Sequence, residues 1–183
     1  MHKVSNARAA LLWCAPLLLT GLVLVATRYA GPPQAVPGSV DGPDTPIVIH
    51  TRAGQDRARP DQALALLRDD NSRRRTAGMG PLLLVPQLSG IAGAHALDMI
   101  ARGYFGHDTP EGVGPFQRMK AAGWQFGYAG ENMAIGPDEV RAEQALYASP
   151  EHLANTLEPH YTKVGIAAYN TPVGEIFVED FSD

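Results

Sequence analysis

Cysteine is almost missing. Cys14 is the only one in 183 residues, so no disulfide closes within the chain and packing alone must stabilise whatever folds in an oxidising compartment. A surplus of positive charge is missing too. Residues 1–30 carry three basic groups and no acidic ones, and beyond them 12 Lys and Arg face 19 Asp and Glu, a formal net of −7. That balance excludes recognition of nucleic acid or of an anionic membrane surface through bulk charge. Internal repeats, heptads, a phosphate-binding glycine loop and paired CxxC motifs are absent as well, which removes the function classes that depend on them.

One long apolar run is present. Ala9 to Ala26, "AALLWCAPLLLTGLVLVA", carries no charge and follows Lys3 and Arg8, the pattern of a signal peptide or a membrane anchor with its N-terminus inside. Cutting after Ala26 or Ala30 places Leu24 or Arg28 at the −3 position, where a small residue is wanted, so an uncleaved anchor over 1–30 is favoured and the C-terminal part is expected outside. Residues 31–60 follow, with ten Gly or Pro among thirty, and read as a linker. "IVIH" at 47–50 could add a short strand there. The folded domain is expected over 61–183.

Within it, helices come first. Pro60 and Asp61 open one that Gly78 closes; Leu88, Ile91, Ala92, His95 and Met99 fall on one face of a second; Pro115 and Pro137 open two more. "SPEHLANTL" puts Ser149 at an N-cap, Pro150 at the first helical position and His152 in the first turn. Strands come late: "KVGIAAY" and "EIFVEDF", separated by "NTPVG", predict a hairpin, to which "ENMAI" adds another strand. The order predicts an α+β fold with helices packed on a central antiparallel sheet.

Three polar residues stand among apolar neighbours: His107 in "YFGHDTPEG", Glu131 in "GYAGENMAIG" and His152 in "SPEHLAN". Two imidazoles and a carboxylate are raw material for a metal site or for acid–base chemistry, although gaps of this length match no local metal motif and separate structural roles stay open. His95, on an apolar helix face, reads as a core histidine. Asn132 reads as a tie for backbone groups. Arg73 to Arg75 read as a solvated helix face, and Trp124, Phe126 and Tyr128 alternate as on one face of a strand.

Taken in order, "NSRRRTAG", "LSGIAGAHALDM", "FGHDTPEGVGPFQRMKAAGW", "GENMAIG", "SPEHLANTLEPHYTKVGIA" and "FVEDF" resemble the CAP (SCP) superfamily of cysteine-rich secretory, antigen 5 and pathogenesis-related proteins, in its small exported bacterial form. The resemblance implies a three-layer α-β-α sandwich with a central cleft where two histidines and two acids converge. By motif, His107, Glu131 and His152 are similar to three of those four. Arg74 falls where relatives carry an arginine, so the resemblance places it for an internal pair. His160 in "HYTK" imitates the second histidine motif, but "TKVGIA" sets the register in favour of His152. Relatives carry a Trp and then an acid where Leu146 and Ser149 stand, so the second acid is missing, and Glu143 and Glu151 are its nearest substitutes in sequence.

The resemblance implies a fold rather than one activity. The function expected is an exported binding module whose cleft, lined by His107, Glu131, Ser149 and His152, takes a divalent cation, a lipid or a peptide in the cell envelope. An envelope protein is a further candidate partner. The alternative is a zinc-assisted hydrolase in which His107 and His152 hold the metal and Glu131 activates water.

Overall fold

A computed structural model describes residues 24–30, 57–137, 139–172 and 174–183. Five helices, α1 (Pro60–Thr76), α2 (Pro86–Arg102), α3 (Pro115–Ala121), α4 (Glu139–Ala148) and α5 (Pro150–Thr156), pack on one sheet. Its strands are β1 (Leu24–Ala30), β2 (Arg57–Ala58), β3 (Leu83–Leu84), β4 (Ala129–Gly136), β5 (Lys163–Thr171) and β6 (Gly174–Ser182). They run in the order β1-β4-β6-β5-β2, all antiparallel, with β3 parallel to β5.

The starts expected at Pro60, Pro115 and Pro150 are present, whereas α4 begins at Glu139, two residues after the Pro137 expected to open it. Pro60, Pro86, Pro115 and Pro150 each open a helix, since a fixed φ and a missing N–H cost nothing in a first turn. Ser149 caps α5, its hydroxyl accepting from the His152 main-chain N–H at 3.4 Å. Gly103 ends α2 in the left-handed region at φ 71°, which a side chain would resist.

Register decides which face each strand residue serves. Glu131 is opposite Asp180, Met133 opposite Val178 and Ile135 opposite Ile176. Met133, Ile176 and Val178 pack with Ala167 against Ala92, Ala96, Met99 and Ile100 of α2. The alternate positions, Ala134, Phe177, Phe181, Val164 and Ile166, pack with Leu66 of α1 and Ala142 and Leu146 of α4. Successive residues of a strand point to opposite faces, so β4, β5 and β6 are buried on both sides and the protein has three layers. The α2 layer sits close to the sheet: a Cβ on Gly165 of β5 would stand 2.1 Å from the Leu88 carbonyl carbon.

Several expectations need correction. Trp124 and Phe126 belong to an irregular stretch before β4 rather than to a strand; Phe126 packs with Phe116, Trp124 donates to Ser182 Oγ at 3.0 Å, and Tyr128 stacks on His160. Arg73 and Arg75 are exposed as a solvated face requires, and Arg74 turns inward, as the resemblance implied. It is 2% exposed and its guanidinium donates to the carbonyls of Gly80, Thr156, Glu158 and Tyr161 at 2.8–3.0 Å, tying α1 to the segment that joins α5 to β5. The anchor expectation is not tested: of that run only Leu24 to Ala26 are described, and they lie in β1, a stretch with Val25, Thr27 and Tyr29 at alternate positions, residue types that favour strands. The rest of that run, most of the linker and "IVIH" lie outside the described residues, among which no helix is long and apolar enough to cross a membrane.

Candidate functional site

His107 follows α2 in a loop of turns, and Glu131 is the third residue of β4. The structure brings them together: His107 Nδ1 lies 2.6 Å from Glu131 Oε1. The imidazole is 9% exposed and the carboxylate is wholly buried. Its other oxygen, Oε2, accepts from Arg118 Nη2 at 2.5 Å, and Arg118 Nη1 donates to the His107 carbonyl at 2.7 Å and to the Val113 carbonyl at 3.0 Å. One guanidinium therefore grips both members of the pair. A planar fork that meets a carboxylate and a carbonyl together fixes orientation as well as charge.

Asp180 of β6 places a second acid beside Glu131, which the sequence did not show near Ser149. It faces Glu131 across the β4–β6 ladder and is fully buried. Burial and the neighbouring Glu131 charge raise Asp180 well above the usual carboxylate range. Burial also pushes Glu131 up to about 7, against the pull of the Arg118 charge. Two buried acids side by side with one guanidinium do not both ionise near neutrality.

His152 approaches from the other face. Its ring is 3% exposed, and its carbonyl accepts from Asn132 Nδ2 at 3.2 Å. Asn155, one turn further along α5, donates to Asn132 Oδ1 at 2.9 Å and to the Glu131 carbonyl at 3.3 Å. Asn132 also donates to Glu179 Oε2 at 3.3 Å. Glu131 and Asn132, adjacent in sequence, thus bind His107 on the α2–α3 face and the His152 segment on the α5 face. Asn132 is the structural tie expected of it.

The other candidates fall elsewhere. Ser149 serves as the α5 cap and donates to Glu151 at 2.9 Å. Glu151 is exposed, and hydrogen bonding to main-chain N–H groups and to Ser149 lowers its pKa; it does not replace the missing acid. Glu143 lines a cavity of about 480 Å³ between α1, α4 and α5, with Asp69, Arg73 and Leu153 among its other walls. That cavity contains none of His107, Glu131 and His152. His160 is half-exposed, 2.5 Å from Glu158 and stacked on Tyr128 at 3.8 Å. His95 is the core histidine expected: Nε2–H donates to the Gly106 carbonyl at 2.9 Å, and burial depresses its pKa to about 3.

A divalent cation does not fit this donor set. Among the described residues no group of three or more His, Cys, Asp or Glu side chains is placed to hold a metal, and Glu131 has both oxygens engaged, one by a cation. Arg118 and Asp180 escaped the reading of the sequence. Asp180 had a usable signal, an acid pair within the apolar strand "FVEDF"; Arg118 had only its place between the buried Pro115 and Met119 of α3.

The comparisons with known proteins agree with this fold. The sequence model of the cysteine-rich secretory protein (CAP) family matches residues 67–181. Protein YkwD of Bacillus subtilis (strain 168) is 35% identical over 114 residues, 61% of this chain and 43% of that protein, so the chain spans less than half the length of this relative. An extracellular protein of Bacillus anthracis containing an SCP domain superimposes with a TM-score of 0.61 at 26% identity, over 67% of this chain and 40% of that one. An outer surface protein of Borrelia burgdorferi gives 0.63 at 22% identity, over 67% and 92%, a likeness of fold alone. With the family model matching well over half of the chain, from within α1 through most of β6, the chain belongs to the CAP family.

Proposed function

We propose that this chain is an exported binding module of the cell envelope, whose His107–Glu131–Arg118 site holds a lipid or peptide ligand without turning it over. Export is supported by the similarity to an extracellular protein that contains an SCP domain. The observation that carries the reading is the double engagement of Glu131: with Oε1 on His107 and Oε2 on Arg118, the carboxylate is placed to orient an imidazole and pair a cation, an arrangement that favours positioning over water activation. What faces a ligand is the His107 ring and its loop, held in place before anything binds.

The competing hydrolase needs either a metal with an open position or an activated nucleophile, and the donor set favours neither. The test is a panel of peptides, esters and lipids applied to wild type and His107→Ala, read for both binding and turnover. Saturable binding that His107→Ala weakens at least tenfold, without product, supports the module. Turnover lost in His107→Ala overturns it in favour of the hydrolase.

A further inference from the structure

We propose that the outer edge of β4 is an acceptor for an extended polypeptide, and that Leu24–Ala30 of this chain occupies it in cis. This rests on the binding-module reading and names its ligand class: a proline-free segment of about seven residues that pairs antiparallel with β4 through its backbone.

Four observations converge on this edge. β1 pairs with β4 along its whole length, from Leu24 opposite Ile135 to Ala30 opposite Ala129. The family match begins at residue 67, so β1 lies outside the matched segment, whereas β4 lies within it. Without β1, β4 would keep its ladder to β6 but present the N–H and C=O groups on its other edge unpaired, the kind of edge that recruits a partner strand. The seat is also more than a bare edge, because β1 packs against α4 and α5 as well as β4. Within it, Arg28 stands opposite Glu131 and Thr27 opposite Asn132, so the strand crosses the sheet edge at the dipeptide that ties both histidine segments.

Its tether permits exchange. β1 lies on one edge of the sheet and β2 on the other, about 19 Å apart at normal strand spacing. Residues 31–56 join them, a length that reaches on the order of 85 Å when extended. A strand held by so long a connection is fixed by its pairing rather than by its link, and it competes with outside peptides at a local concentration in the millimolar range.

The probe is a fluorescein-labelled peptide with the sequence of Leu24–Ala30, titrated into the full chain and into the full-chain double variant Ala26→Pro, Thr27→Pro. Neighbouring residues of a strand alternate in the direction of their N–H groups, so one of the two prolines removes a bond to β4 whichever residue donates it. Saturable one-to-one binding to the variant, at least tenfold tighter than to wild type and lost when the peptide carries the same prolines, is the expected result. A variant with a native near-ultraviolet spectrum and no saturable binding overturns the inference. Wild type serves if the variant does not fold: excess peptide should raise amide exchange across 24–30 while 129–136 stays protected. Exchange across 24–30 that is unaffected by saturating peptide, or that is unprotected from the start, overturns the inference as well. Mass spectrometry of the bound peptide separates the two readings: cleavage refutes the binding module and leaves strand acceptance standing, whereas intact, unbound peptide refutes strand acceptance alone.

Discussion

Arg118→Met tests how the site is held. The substitution keeps most of the side chain's bulk and removes the guanidinium that grips Glu131 Oε2 and the His107 and Val113 carbonyls. Two carbonyls lose a donor at any pH, a cost of about 2 kcal/mol together. The charge part depends on pH. Burial already lifts Glu131 from its ordinary 4.5 to about 7, so at pH 5 the folded protein holds it protonated with or without Arg118, and the charge part is close to zero. At pH 8 the wild type ionises Glu131 against its guanidinium, whereas the variant must keep it protonated, which adds about 1.4 kcal/mol for each unit by which pH exceeds the native pKa. The expected loss is therefore about 2 kcal/mol at pH 5 and about 3.5 kcal/mol at pH 8, read by urea denaturation at both. Equal losses at the two pH values, or a larger one at pH 5, would refute the claim that Arg118 serves as the counter-ion of Glu131.

Glu179, raised well above the usual range by burial and by the Asp70 charge, is expected to be protonated: Glu179→Gln should cost under about 1 kcal/mol at pH 7 and Glu179→Ala about 2–3 kcal/mol, and equal costs in denaturation would mean that the native group is charged. Asp70 is lifted to about 6 by burial. Because the folded state then binds more protons than the unfolded state above pH 4, stability is fullest below that point and falls as pH rises through 6; the midpoint of thermal unfolding should be higher at pH 5 than at pH 7.5, and Asp70→Asn should flatten the difference. Gly165→Ala forces a Cβ into the main chain at Leu88 and Ser89 and should cost about 3 kcal/mol or more, with a measured loss below 1 kcal/mol showing that α2 yields. Zinc calorimetry on wild type, His107→Ala, His152→Ala and His160→Ala should give no saturable event that requires both His107 and His152; one that does would restore the cation reading.

The layers were legible because their signals are local. Proline at the first helical position, glycine at helix ends and a Thr-Pro turn between two apolar runs each act within a few residues, and α1 to α5, β5 and β6 follow from them. The pairing of His107 with Glu131 was legible through resemblance and not through spacing, since nothing local links a loop after α2 to a strand 24 residues on. What escaped depends on register. Asp180 meets Glu131 only because β4 and β6 pair antiparallel with those residues opposite, and a shift by one would bring Glu179 to that face instead. Arg74 was ambiguous for a related reason: a helix face counts as solvated until the chain after α5 folds over it.

Parity along β4 explains why the site belongs to this strand. An acid followed by an amide would place one polar group in water on an ordinary half-exposed strand. Here both faces are covered, so Glu131 must find partners in the α2–α3 layer and Asn132 in the α5 layer. Each layer supplies a segment that bears a histidine. Loss of Asn132 therefore reaches His152 through its main chain, whereas loss of Glu131 reaches His107 through its ring, and a change at either position is transmitted to one face first. The strand that separates the two histidine segments is also the one that fixes their distance, and β1, lying on its open edge, is placed where both faces end.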